Sequence, residues 1–262
     1  MVWMLVLVLL PTLLIVLLSI SDLNIFNFGP FNFTFDSFSY LQRPEVIQAA
    51  KNSVRLSFMA TVVCLLIGYP VAYFLANLKS NNKSLYLTFI ILPVWSNMLL
   101  RIIAWENMFY FIPRVLEENY GIELTLIGTD FAILLGMVSM YLPFMVLPIY
   151  SVLEKMNNSL VEASKDLGAN KIQTFYKVVF PLSIGGVVSG VIMTLLPSMT
   201  AFALPERLSG GKILLIGNII EDYFTKTNNV SAGSLISVLL MVIIIAMFVS
   251  LLRFDKEGET LI

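Results

Sequence analysis

The chain has 262 residues, 58% of them hydrophobic and 13% charged, with a net charge of -1; soluble domains run near half apolar and a quarter charged, so a soluble globular fold is excluded. The mean hydropathy is +0.87, and the net charge with a pI of about 5.5 argues against a nucleic-acid binder, which would normally show a basic face. There is no His and only one Cys, Cys64, inside an apolar run, which removes His-based triads, HExxH zinc sites, ordinary haem ligation, CxxC sites and internal disulfides.

Residues 2–20 are almost continuously apolar and predict a first membrane span. Ser19-Ile20-Ser21 imitates a signal-peptide cleavage site, but nothing basic precedes Val2 and the apolar stretch exceeds the about 7–15 residues of a leader, which favours a retained span. Residues 21–53, with Phe26-Asn27-Phe28 and Phe31-Asn32-Phe33, read as a loop along the interface. A second span is expected at 54–78, where Pro70 is tolerated if neighbours satisfy the freed carbonyl. A short basic loop, 79–84, follows. The third span, 85–104, carries Pro93, Trp95, Asn97 and Arg101, so its second half should face a bundle interior, with Arg101 paired to an acid or snorkelling outward.

Residues 105–129 read as an acidic loop with Glu106, Glu117, Glu118 and Glu123. The fourth span is expected at 131–153, the fifth at 182–203 and the sixth at 232–252, with a loop at 204–230 and a charged tail from Arg253. Gly186 and Gly190 form a small-xxx-small pattern that lets two helices approach closely. The predicted fold is all-α, one polytopic domain of six transmembrane helices over residues 1–262. At about 20 residues per span, too little chain remains for a separate soluble enzyme domain.

Between spans four and five lies a hydrophilic stretch, 154–181, whose apolar positions fit two short amphipathic helices around Gly168. If the N-terminus is inside, the inside segments carry Lys79, Lys83, Lys155, Lys165, Lys171, Lys177, Arg253 and Lys256, eight bases in about 44 residues, against six in about 85 outside. That density predicts both termini in the cytoplasm and the 154–181 loop on the same side.

The loop reads Glu162-Ala163-Ser164, then Leu167-Gly168-Ala169, and ends at Pro181. It resembles the E-A-A, three residues, G, nine residues, I-x-L-P loop of permease subunits in binding-protein-dependent ABC importers. Glu162, Ala163, Gly168 and Pro181 fall at the family spacings, while Ser164 replaces the second Ala, Val178 the Ile and Phe180 the Leu. Physically, small residues let a helix seat in a groove, Gly168 permits a sharp turn, Glu162 can pair or cap, and Pro181 can end the second helix. The resemblance implies the type I importer permease fold and coupling through Glu162, Ala163, Ser164, Leu167, Gly168, Ala169 and Pro181. It further implies two copies of a cytoplasmic ATPase subunit, a homologous second permease, an extracytoplasmic binding protein, and residence in the cytoplasmic membrane of a prokaryote. No cofactor, metal or nucleic acid is expected.

Two more stretches, 92–105 and 204–220, are similar to the first permease subunit of spermidine/putrescine importers; relatives importing ferric ion, sulfate or phosphonates share parts of both. Within the second, Leu208-Ser209-Gly210-Gly211-Lys212 looks like an ATPase signature, but no GxxxxGK[ST] phosphate loop exists in the chain, so its glycines are expected to make a turn. The outside segments hold eleven acids against six bases, a field that draws a polycation, although the same excess arises when bases are kept inside. Trp95, Asn97, Trp105, Glu106, Glu221, Asp222 and Tyr223 are the candidate pathway residues, because aromatic faces with carboxylates suit an alkylammonium chain. Each Trp also serves as an interfacial anchor. A self-contained secondary transporter would need coupling carboxylates at the midplane, and almost no acid falls inside a predicted span.

Overall fold

The computed structural model describes residues 2–21, 32–78 and 83–259. Residues 22–31 of the expected interfacial loop, including Phe26-Asn27-Phe28 and Phe31, lie outside them, as do residues 79–82 of the basic loop and the last three residues. Among the described residues the chain is helical almost throughout, and the one β-bridge is Ser21 to Phe33.

The helix α1 is Val2–Ser19. After a 3-10 turn, Asp36–Gln42, α2 runs Pro44–Ala76. It begins well before residue 54 because Pro44 presets the first helical turn and Glu45 complements the dipole there; hydropathy marks only its apolar part. Its inner face, with Leu56, Ala60 and Cys64 fully buried, packs along α5, Asp130–Lys155, through Ile133, Met137, Met145 and Ile149. An ion pair stands at either end of α5: Arg55 of α2 meets Asp130 at 2.6 Å, and Lys83, where the next helix begins, meets Glu154 at 2.9 Å.

The stretch 85–104, expected as one span, is instead two helices. The first, α3, is Lys83–Trp95; the second, α4, is Met98–Tyr120, bent from it by 92°. The reason is Asn97, whose side chain accepts from the Leu99 amide at 2.8 Å and starts a new helix inside an apolar run. Most of the expected loop 105–129 is therefore helix, ended by Gly121 at φ +65°.

After α5 come α6, Asn158–Asp166, and α7, Lys171–Thr174. A π-helical turn, Phe175–Val179, and α8, Phe180–Leu182, continue α7 without interruption. The chain then bends by 62° into α9, Ile184–Met199. The expected loop 204–230 holds two helices, α10 at Ala203–Ser209 and α11 at Ile216–Thr225, before α12 at Val230–Glu259. Gly210 and Gly211, at φ +57° and +79°, make the turn between α10 and α11.

Taken singly, α2, α5 and α12 are long and apolar enough to cross a membrane; the α3/α4 and 171–199 segments qualify as bent pairs. The α1 helix lies on α12, and both leave apolar side chains such as Leu7, Leu13, Val242 and Ile245 uncovered, as lipid-facing surfaces do. Cys64 is a packing residue.

Candidate functional site

The loop at 154–181 folds into a compact elbow. The side chain of Asn157 accepts from the Ser159 amide at 3.0 Å and opens α6. At its end the Gly168 amide donates to the Lys165 carbonyl at 2.9 Å and the Ala169 amide to that of Ser164 at 3.1 Å. Gly168 has φ +83° with no atom near its missing side chain, so this position needs glycine for its backbone conformation and not for space. A reciprocal capping box then starts α7: the Gln173 amide donates to Asn170 Oδ1 at 2.9 Å, and the Asn170 amide to Gln173 Oε1 at 3.0 Å.

The departure at Ser164 is put to use. Its hydroxyl lies 3.0 Å from that of buried Thr174, stapling α6 to α7, and 2.9 Å from the Val161 carbonyl. Glu162 neither caps nor pairs among the described residues; both caps are asparagines. Glu162, Ala163 and Gly168 are exposed and Ala169 half-buried, while Leu167 is 90% exposed, a bulky apolar side chain held out at the tip of the elbow. Pro181 does not end its helix. It sits in the first turn of the segment after the π turn, where its missing N–H costs little, and the break comes two residues later at Ser183. Sequence reasoning passes over Asn157, Asn170 and Thr174, although an Asn directly before each helix is a readable start signal.

The candidate pathway residues divide into three places. Trp95 and Asn97 are at the α3/α4 break, where Trp95 is 79% exposed and Asn97 is occupied as a cap. Farther along α4, Trp105 stacks on Phe109 at 5.3 Å, and Glu106 pairs with Arg207 of α10 at 3.7 Å. On α11, Glu221 lines a cleft of about 450 Å³ with Thr200, Phe202, Ile220 and Ser237. Asp222 is paired to Lys226 at 2.6 Å. Tyr223 is buried away from the cleft, edge-on to Tyr40 at 5.6 Å.

The short helix α10 joins two of these places, since it touches both α4 and α11 and offers Arg207 to Glu106 and Glu206 toward Glu221. Burial, and then the neighbouring carboxylates Glu206 and Asp222, hold the Glu221 carboxyl above its ordinary range. Packing sets α10 in place. Leu204 and Leu208 fill the space left by Gly136 on α5, and the Gly128 amide donates to the Leu208 carbonyl at 3.0 Å.

The segment leading into α11 is stitched down by the motif residues around it. The Ile216 amide donates to Ser53 Oγ at 2.7 Å and Asn52 donates to the Leu214 carbonyl at 3.2 Å. Gly217 lies against the carbonyls of Thr200 and Ala201, and Asn218 donates to that of Phe202 at 2.8 Å. Arg101 lacks the expected acid partner among the described residues. Its Nε and Nη1 are buried and find no acceptor among the described residues, and its charge acts on Tyr141 of α5.

Comparison with known proteins agrees with this arrangement. The family model described as "binding-protein-dependent transport system inner membrane component" matches residues 1–256. The chain is 35% identical over 260 residues to the spermidine/putrescine transport system permease protein PotB of Haemophilus influenzae, covering 97% of this chain and 91% of that one. It is 33% identical over 250 residues to PotB of Escherichia coli, covering 92% and 90%. Among solved structures, a bacterial alginate ABC transporter in complex with an alginate pentasaccharide-bound periplasmic protein superposes with a TM-score of 0.79 at 13% identity, over 98% of this chain and 91% of that chain. An inward-facing MetNI methionine ABC transporter superposes with a TM-score of 0.62 at 18% identity, over 85% and 98%. These two likenesses establish a shared fold.

Proposed function

The chain belongs to the binding-protein-dependent transport-system inner membrane components, and from that premise we propose that it moves polyamines of the spermidine and putrescine type across the cytoplasmic membrane. It is a membrane-embedded permease subunit of an ABC importer. The observation that carries the cargo assignment is the similarity to spermidine/putrescine permeases over more than nine-tenths of the chain. The carboxylates Glu106, Glu206, Glu221 and Asp222, gathered about α10 and α11, support it, because a flexible polycation is held by spaced negative charges and apolar walls.

In this reading Leu167 and the exposed face of α6 seat on a cytoplasmic ATPase subunit, one copy here and a second on a homologous permease. ATP-driven closure of that pair tilts the elbow and, with it, α9. An extracytoplasmic binding protein delivers the cargo to the opposite face, and both termini are cytoplasmic. Glu221 takes one ammonium group at the edge of the apolar cleft, with Glu206 as its neighbour, while Trp105 offers an aromatic face beside Glu106. Trp95, Asn97, Asp222 and Tyr223 shape the surroundings of the path.

The test is reconstitution of the complete complex, with its binding protein, in proteoliposomes. Uptake of spermidine or putrescine that requires ATP is the expected result. ATP-dependent uptake confined to ferric ion, sulfate or a phosphonate would overturn the cargo.

A further inference from the structure

The elbow reaches the membrane domain through one joint. Between Lys171–Leu182 and Ile184–Met199 the chain bends by 62°, and Ser183 stands at the corner, fully buried. A corner of this kind is free to flex, so a push on the elbow would be absorbed there unless something ties it to the helices that must move.

The tie comes from α2. Tyr69 places its hydroxyl 2.7 Å from Ser183 Oγ. The proton inventory gives the bond its direction: Ser183 Oγ donates to the Phe180 carbonyl at 2.9 Å, which leaves its lone pair to accept from the Tyr69 hydroxyl. The ring of Tyr69 meets Phe175 edge-on at 5.6 Å and Phe180 at 5.9 Å, so it grips the lever on both sides of the π turn. Tyr73, one turn along α2, meets Phe175 edge-on at 6.0 Å.

The ground on which Tyr69 stands is stiff. The neighbouring Gly68 is pressed on Met145 of α5, and Gly186 and Gly190 press α9 on the same stretch of α5. Stacked rings alone would let the lever slide. A buried hydrogen bond is directional, and breaking it leaves a hydroxyl without a partner in a low-dielectric interior.

We propose that Tyr69 is a positioning residue for energy coupling: its bond to Ser183 locks the corner between the elbow and α9, so that displacement of the elbow moves α2, α5 and α9 together. The proposal rests on the importer reading above and names a device within it. It touches no cargo and no nucleotide.

The experiment compares the wild-type complex with Tyr69→Phe, Ser183→Ala, the double variant and Ser183→Thr in proteoliposomes, measuring putrescine taken up and ATP hydrolysed together. Tyr69→Phe keeps the stacked rings and loses only the hydroxyl. The expected result is ATP hydrolysis close to wild type, with putrescine carried per ATP lower by about fivefold in each single variant, the ratio corresponding to one buried hydrogen bond of ordinary strength. The double variant falls no further than either single, and Ser183→Thr restores the ratio. An unchanged ratio in both single variants, or a double variant that falls by the product of the two, overturns the proposal. A wild-type complex that carries no polyamine with ATP refutes the polyamine cargo instead, so the two failures are distinguishable.

Discussion

Gly190 of α9 lies so close to Met145 of α5 that a methyl in place of its hydrogen would stand 3.1 Å from the Met145 carbonyl oxygen and 2.8 Å from its Sδ. One turn earlier, the two nearest atoms to Gly186 are both backbone, the Pro148 carbonyl oxygen and the Ile149 Cα at 3.0 Å, with Val152 Cγ2 at 3.1 Å. Backbone cannot rotate aside as a thioether can. Gly186→Ala is therefore expected to destabilise the solubilised complex by about 1–3 kcal/mol, as overpacking does, and Gly190→Ala by less. Thermal unfolding in detergent measures both, and equal melting temperatures for Gly186→Ala and wild type would contradict the close approach.

Gly168 should respond in the opposite way. Its surroundings are open and only its positive φ resists a side chain. Gly168→Asn, which tolerates the left-handed region, should retain ATPase binding and uptake, whereas Gly168→Val should insert normally yet fail to co-purify with the ATPase and fail to transport. Normal uptake with Gly168→Val would refute the coupling role of this turn.

Glu221 separates stability from function. Its carboxyl is held above the ordinary value of 4.5 by burial first and then by Glu206 and Asp222. An acid whose pKa is raised on folding opposes the folded state once it ionises, and the penalty develops as pH rises from the unfolded pKa through the folded one. Glu221→Gln is thus expected to melt at the wild-type temperature below the ordinary carboxylate range and above it at neutral pH. The same substitution should lower putrescine uptake at neutral pH and remove the acid limb of the uptake profile that titration of Glu221 contributes. A variant that loses stability at neutral pH would show that burial does not penalise the Glu221 carboxylate.

On the proposed pathway, Arg207 is the resident cation that a polyamine must displace from Glu106. The pair is 3.7 Å apart and Arg207 is mostly exposed, so Arg207→Ala should change stability by less than about 1 kcal/mol. By removing the resident cation it should also lower the apparent KM for putrescine uptake. A raised KM would mean that Arg207 holds Glu106 in its working position.

What was legible in the sequence follows from the range of the interactions. The elbow could be read because its parts are local: a glycine, small residues and flanking apolar positions at fixed spacing, all within one loop. The 92° bend at Ser96 and Asn97 could not be read from hydropathy, since an N-cap asparagine hardly lowers the average of the apolar run around it. The same limit hid the helices α10 and α11, whose positions are set by Gly136, Ser53 and the end of α9, far away in the chain. Glu221, Asp222 and Tyr223 are adjacent in sequence and offer an aromatic face with carboxylates, but folding turns Tyr223 into the core and pairs Asp222 with Lys226. Tyr69 and Ser183 lie 114 positions apart, and nothing local in either segment announces their contact.

The broken third segment has a consequence for how the membrane is sealed. At 13 residues, α3 rises about 20 Å, against a hydrocarbon core of about 30 Å. Its start is anchored at the polar boundary by the Lys83 to Glu154 pair, and α4 leaves its far end nearly at a right angle. By itself α3 is therefore about a third shorter than the hydrocarbon core, and α4, turned across it, does not extend it. Trp95 stands exposed at that break, so an apolar surface from outside this chain, lipid or a neighbouring helix, has to cover it.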